Sequence, residues 1–257
     1  MKIVLSRLVK AYEAAPALGP VDLTIKQHES VALLGPSGCG KSTLIRILSG
    51  LEQSSEGDAS LDGRSISGPT PAVGLVFQEP RLMPWLTVRE NIRLALGGVA
   101  PKEQDCRIAE ALGAVGLADR ADALPRALSG GMAQRAGVAR ALVREPQALL
   151  LDEPFSALDA FTRAKLQDHI AALWSASEFT LVLVTHDIEE AIVVADRILV
   201  MAGPPGRFIA DISVDLPRPR DRTAGALQAL RRRIAEAISP KTLSVGDRTT
   251  YLSPAAE

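Results

Sequence analysis

The chain has 257 residues, a formal net charge of −1, and 47% apolar but only 4% aromatic residues. That length suits one large domain, or one domain with appended parts, built on an aliphatic core. The near-zero charge supplies no field to attract nucleic acid or an anionic membrane, and two cysteines, Cys39 and Cys106, cannot make a disulfide framework. No uninterrupted apolar run approaches bilayer length. Residues 1–5 lead straight into strand-like alternation, so no leader is expected. These features predict a soluble, cytoplasmic protein that reaches a membrane only through a partner.

Residues 2–10 and 21–26 alternate as half-buried strands. Ser30-Val31-Ala32-Leu33-Leu34 is a buried strand by its unbroken apolar run, and residues 43–48 open a helix. Between them stands Gly35-Pro36-Ser37-Gly38-Cys39-Gly40-Lys41-Ser42-Thr43. Two glycines bracket four residues and are followed by Lys and a hydroxyl residue, the pattern of a phosphate-binding loop in its strand–loop–helix setting. Glycine lets the backbone fold closely around an anion, and successive N–H groups with the helix N-terminus face the phosphates. In this pattern Lys41 reaches the β/γ-phosphates of ATP and Ser42 ligates Mg²⁺.

Residues 57–66 read as short strand pieces and 72–77 as a strand. From 87 to 144 the chain is rich in Ala, Leu, Arg and Glu and reads as several helices. Buried strands at 148–151 and 180–184 flank a helix at 161–175, which makes a parallel β-α-β unit. A helix at 187–195, a strand at 197–201, a turn at 203–206, a strand at 207–214 and a helix at 223–238 precede a polar tail. The fold class is α/β, with a mostly parallel sheet interrupted by a helical insertion.

Leu149-Leu150-Leu151-Asp152-Glu153-Pro154 places two carboxylates at a strand end, where open α/β sheets bind ligands. Asp152 suits the Mg²⁺ shell, and Glu153 suits a general base for water. Leu128-Ser129-Gly130-Gly131-Met132-Ala133-Gln134-Arg135 puts Ser-Gly-Gly at the mouth of a helix read at 132–143, another anion-binding N-terminus. The stretch Leu82-Met83-Pro84-Trp85-Leu86 is irregular by its prolines. Leu82, Met83 and Trp85 in it suit a docking surface; alternatively Trp85 folds inward as a plug.

The phosphate loop, Gln78, residues 128–135, Asp152-Glu153, Ser156-Ala157-Leu158-Asp159 and His186 occur in one order. Over residues 3–214 this resembles the nucleotide-binding subunit of ATP-binding cassette (ABC) transporters. The resemblance implies a RecA-like phosphate-loop NTPase core (1–86 and 147–214) with an N-terminal antiparallel β part. It also implies a helical subdomain (87–146) carrying the signature, and a C-terminal helix and tail (215–257). Tyr12 is similar to the aromatic that stacks on adenine, and Gln78 to the glutamine that touches Mg²⁺ and the attacking water. Glu153 resembles the catalytic base and His186 the γ-phosphate histidine. Ser129, Gly130, Gly131 and Gln134 resemble the signature that closes over a second copy's ATP, and Asp159 belongs to a loop lining the dimer interface. A homodimer follows from that resemblance.

Val76-Phe77-Gln78-Glu79-Pro80-Arg81-Leu82-Met83-Pro84-Trp85-Leu86-Thr87-Val88 and Ala202-Gly203-Pro204-Pro205-Gly206-Arg207 look like the nitrate/sulfonate/taurine importer branch. That branch implies integral membrane permease subunits, an indirect periplasmic or lipid-anchored solute-binding protein, and a peripheral place on the cytoplasmic face of the membrane. The alternative is an ABC-type ATPase acting on nucleic acid or ribosomes. Such proteins usually carry two cassettes, a coiled-coil insertion or basic patches, which this chain lacks.

Overall fold

The computed structural model describes residues 1–13 and 15–238. The polar tail read beyond the last helix lies outside them. Strands β1 (Ile3–Tyr12), β2 (Ala15–Ile25), β4 (Glu56–Leu61) and β5 (Arg64–Ser65) form an antiparallel sheet in the order β2-β1-β4-β5. Strands β3 (Ser30–Leu34), β6 (Val73–Val76), β7 (Ala148–Asp152), β8 (Thr180–Thr185), β9 (Arg197–Ala202) and β10 (Arg207–Ser213) form a second sheet in the order β10-β9-β3-β8-β7-β6. Its pairs are parallel except β10 with β9. Around the sheets lie α1 (Lys41–Leu48), α2 (Val88–Arg93), α3 (Pro101–Ala114), α4 (Gly130–Leu142), α5 (Ala160–Ser175), α6 (Ile188–Val194) and α7 (Gly225–Ile238).

The apolar strands are buried on both faces, which is why they read as unbroken hydrophobic runs. Val31 and Leu33 of β3 pack toward α1 and the antiparallel sheet, with Leu150 and Val182. Ala32 and Leu34 face the other way, with Leu149, Leu181 and the buried faces of α2 to α7. This period-two division makes β3 the common wall of two cores. Each fully buried Leu or Val in it contributes about 1.5–3 kcal/mol relative to exposure.

Several element limits differ from the sequence reading, most of them by one or two residues and one, that of β2, by six. The strand expected at 21–26 begins at Ala15, although Pro16, Gly19 and Pro20 argue against strand there. The early part is held from outside: Gly19 N donates to Gly206 O and Gly206 N to Ala17 O, both at 2.9 Å. The signature helix begins at Gly130, because Ser129 Oγ caps it by accepting from Met132 N at 3.3 Å. Helix α2 starts with a capping box between Thr87 and Glu90.

The segment after β10 is fastened to the core by buried Arg220, which donates to the carbonyls of Ile192 and Ala195 and to Asp196. Helix α7 then buries Leu227 and Ile234. Among the described residues no helix is long and apolar enough to cross a membrane.

Candidate nucleotide site

Strand β3 delivers the phosphate loop at its carboxyl end, on the edge where parallel sheets bind ligands. The loop is pressed from two sides. A Cβ on Gly35 would lie 2.4 Å from Met201 O, and one on Gly40, at φ +94°, would lie 2.5 Å from Leu18 Cδ2. No side chain fits either position, so the glycines are dictated by β9 and by the unexpected first half of β2. Lys41 is buried, and its Nζ donates to Gly35 O at 2.7 Å and Pro36 O at 2.8 Å. Cys39 is also buried, and burial pushes its thiol pKa up, which makes it a packing residue of the loop.

Ser42 Oγ donates to Asp152 Oδ1 at 3.0 Å, spanning β8, which lies between β3 and β7. Burial raises the Asp152 pKa, the Ser42 bond opposes that, and the neighbouring Glu153 charge adds to it. Two hard oxygens so placed are the donor type that Mg²⁺ takes alongside phosphate oxygens. Glu153 adopts the left-handed φ of 47°, and its N–H donates to Val184 O at 3.0 Å. Its carboxylate Oε2 lies 3.2 Å from His186 Nδ1. His186 is held between two fixed neighbours. Thr185 Oγ1 accepts from Asp187 N at 3.0 Å and donates to Glu190 Oε2 at 2.5 Å.

Tyr12 is 42% exposed, with Lys10 Nζ 5.0 Å from its ring centroid. Lys10 is also ion-paired to Glu52 at 3.1 Å. Partial burial, then a hydrogen bond to Glu52, push the Tyr12 phenol pKa up, against a bond to Thr43.

Gln78 is exposed two residues past β6, beside β7 in the sheet. The segment after it is gripped by side chains. Gln134 Nε2 donates to Phe77 O at 3.0 Å, and Arg140 donates to Pro80 O at 2.6 Å and Arg81 O at 2.8 Å. Fully buried Asn91 donates to the carbonyls of Met83, Leu86 and Thr87 and accepts from Met83 N. Trp85 is 72% exposed and so is not an inward plug. Leu82 packs on the main core, and Met83 is half-buried.

The structure thus gathers Lys41, Ser42, Asp152, Glu153 and His186 on one edge, with Gln78 on that edge at the end of β6. Ser129 and Gly130 are exposed at the start of α4. Among the described residues no hydrogen bond joins them to the phosphate loop. Gln134, grouped with them by sequence, is buried on its own chain's Phe77 carbonyl. Asp159 caps α5 through Phe161 N and Thr162 N, and the Thr162 bonds lower its pKa. A cavity of about 490 Å³ lies elsewhere, lined by Ala111, Leu142, Val143 and Phe179, and holds none of these residues.

Sequence reading missed Asn91, Arg140, Thr185 and Glu190. Asn91 carried a usable signal, since it falls three residues after Val88 and beside Ile92 on an apolar helix face. Glu190 carried a weaker one, since it is the acid of the Glu189-Glu190 pair that adjoins the apolar run 191–194.

Fold and site together define a phosphate-loop ATPase with a serine-glycine-glycine signature helix. The family model for ABC transporters matches residues 18–156, and the chain belongs to that family. It is 47% identical over 235 residues to an aliphatic sulfonates import ATP-binding protein of Xanthomonas axonopodis pv. citri (strain 306), covering 89% of this chain and 93% of that one. It is 50% identical over 223 residues to the protein of the same description from Pseudomonas syringae pv. syringae (strain B728a), covering 86% and 90%. The ATP-binding cassette MJ0796, solved as a dimer in a post-hydrolysis state with ADP and Pi, superposes with a TM-score of 0.73 at 32% identity, covering 84% of this chain and all of that one.

Proposed function

We propose that this chain is the ATP-hydrolysing motor of an importer for aliphatic sulfonates, working as a homodimer on the cytoplasmic face of integral permease subunits. A separate solute-binding protein delivers the solute to those subunits. The observation that carries the chemistry is the continuous cluster Ser42–Asp152–Glu153–His186 beside a buried Lys41. The sulfonate class rests on the descriptions of the relatives at 47% and 50% identity.

In this reading the phosphates replace the carbonyls of Gly35 and Pro36 as partners of the Lys41 ammonium. Ser42 and Asp152, with the Gln78 amide, hold Mg²⁺, which neutralises charge on the phosphates when bound. Glu153 takes the proton of the attacking water. His186, hydrogen-bonded to it, aligns that carboxylate and faces the γ-phosphate. Tyr12 stacks on the base, and the remaining loop residues 35–43 wrap the phosphates with backbone N–H groups.

The MJ0796 dimer supports a pairing in which Ser129, Gly130 and Gly131 of one chain close over the ATP of the other, with Asp159 at the interface. The core (1–86 and 147–214) would then carry hydrolysis, and movement of the helical part (87–146) would displace the Trp85 surface that adjoins it at the end of the first core segment.

The test is ATPase activity of the reconstituted importer. Aliphatic sulfonates delivered by the binding protein should stimulate it, and amino acids or sulfate should not. Stimulation by nucleic acid or ribosomes, with none by permease and sulfonate, overturns the reading.

A further inference from the structure

Thr162 and Arg163 are neighbours in the first turn of α5, and they meet two different parts of the machinery. Thr162 packs on the signature: a Cβ on Gly131 would lie 2.2 Å from Thr162 Cγ2. Arg163 Nη2 donates to Leu158 O at 2.8 Å and so holds the loop before the helix. Leu158 itself faces the signature, since its Cδ2 would be 3.5 Å from a Cβ on Gly130. On its other side the same guanidinium has Nε 3.9 Å from Glu190 Oε1, and that Nε is buried with no hydrogen-bond partner. Glu190, 6% exposed, receives the Thr185 hydroxyl, which also receives Asp187 N. Thr185 and Asp187 are the two neighbours of His186.

Packing, polar approach and chain adjacency therefore link Gly131 through Thr162, Arg163, Glu190 and Thr185 to His186 within one chain. One link is open. A buried donor without a partner is costly, and an approach of about 1 Å would bring Nε to hydrogen-bond distance of the carboxylate. The Gly131–Thr162 contact leaves no slack, so displacement of the signature must move the first turn of α5.

We propose that Arg163 and Glu190 are positioning residues that make His186 of a chain respond to nucleotide held on the same chain's signature. This rests on the dimer reading, in which that nucleotide sits in the partner's phosphate loop. Each site then orients the histidine of the other, and ATP turnover becomes cooperative through these two side chains.

Arg163→Met and Glu190→Gln test this in the full chain. ATPase rate is measured against ATP concentration. ATP-dependent dimer formation is measured by size exclusion, with each change combined with Glu153→Gln. The Glu153→Gln chain should dimerise with ATP, and so should both combinations. In the otherwise wild-type chain each change should lower kcat about three- to thirtyfold and move the half-saturating ATP concentration by less than about twofold. The Hill coefficient should fall from above 1 toward 1. The double variant Arg163→Met/Glu190→Gln should be no slower than the slower single variant, because both break one path.

If Glu153→Gln alone fails to dimerise, the dimer reading falls and this proposal with it. If that dimer forms but either combined variant loses it, the residues serve assembly and the relay is overturned. The relay also falls if a single variant keeps the wild-type Hill coefficient, or if the losses multiply in the double variant. Should Arg163→Met fail to fold, Arg163→Lys keeps the charge but cannot span Leu158 O and Glu190 together. It should show the same loss of kcat, and an unchanged kcat would equally overturn the relay.

Discussion

Asn91→Ala should lower the melting temperature substantially while leaving nucleotide affinity intact. The side chain is fully buried. Its Nδ2 donates to Met83 O at 3.1 Å, Leu86 O at 3.0 Å and Thr87 O at 2.9 Å, and its Oδ1 accepts from Met83 N at 2.6 Å. Two of these groups keep other partners after the change, since Met83 O also accepts from Leu86 N and Thr87 O from Asn91 N. Met83 N and Leu86 O lose theirs. An unpaired group costs about 1–3 kcal/mol where water cannot reach it. Two groups in a half-exposed loop therefore come to about 3 kcal/mol. For a domain of this size that corresponds to roughly 6–12 °C. The measurement is a calorimetric melt without nucleotide, paired with an ATP titration. A shift below about 2 °C would show that the loop holds itself by its backbone, and the clamp argument would fail. ATP affinity should not move, because Asn91 bonds only to the loop and to its own helix.

Trp85→Ala should do the opposite: stability within about 0.5 kcal/mol, as for an exposed site, and permease capture weakened by about 2 kcal/mol or more. A lost melt with normal capture would make Trp85 structural. Lys41→Ala should weaken ATP binding by at least about tenfold, since a charge-assisted bond to phosphate disappears; unchanged titration would remove the phosphate-loop assignment. Glu153→Gln should keep ATP binding but lower turnover by roughly 10²–10⁴-fold, and wild-type turnover would refute Glu153 as the base. Ser129→Arg chains mixed with Lys41→Ala chains should give heterodimers with one intact composite site and partial activity, and total inactivity counts against the composite site.

Chemistry that depends on residues adjacent in the chain was legible in the sequence. A phosphate loop needs glycines, lysine and a hydroxyl in consecutive positions between strand and helix, and an acidic strand end needs only its apolar run. The limits of β3 came out as read, because a strand buried on both faces has nowhere to place a polar residue. What escaped depended on partners far along the chain. The first half of β2 carries Pro16, Gly19 and Pro20 and is a strand only because β1 and Gly206 pair with it. Residues 82–86 read as an irregular loop, but whether Trp85 pointed inward or outward was undecidable from composition. Asn91 and Leu82 decide it by fastening the loop from beneath. Gln134 sits in the signature motif, yet the packing of α4 on β6 turns it to the Phe77 carbonyl. Buried polar residues such as Asn91 and Glu190, and the half-buried Arg163, look solvent-facing in a sequence. Their stability depends on hydrogen-bond partners, and only the tertiary structure supplies a particular carbonyl or carboxylate within 3–4 Å.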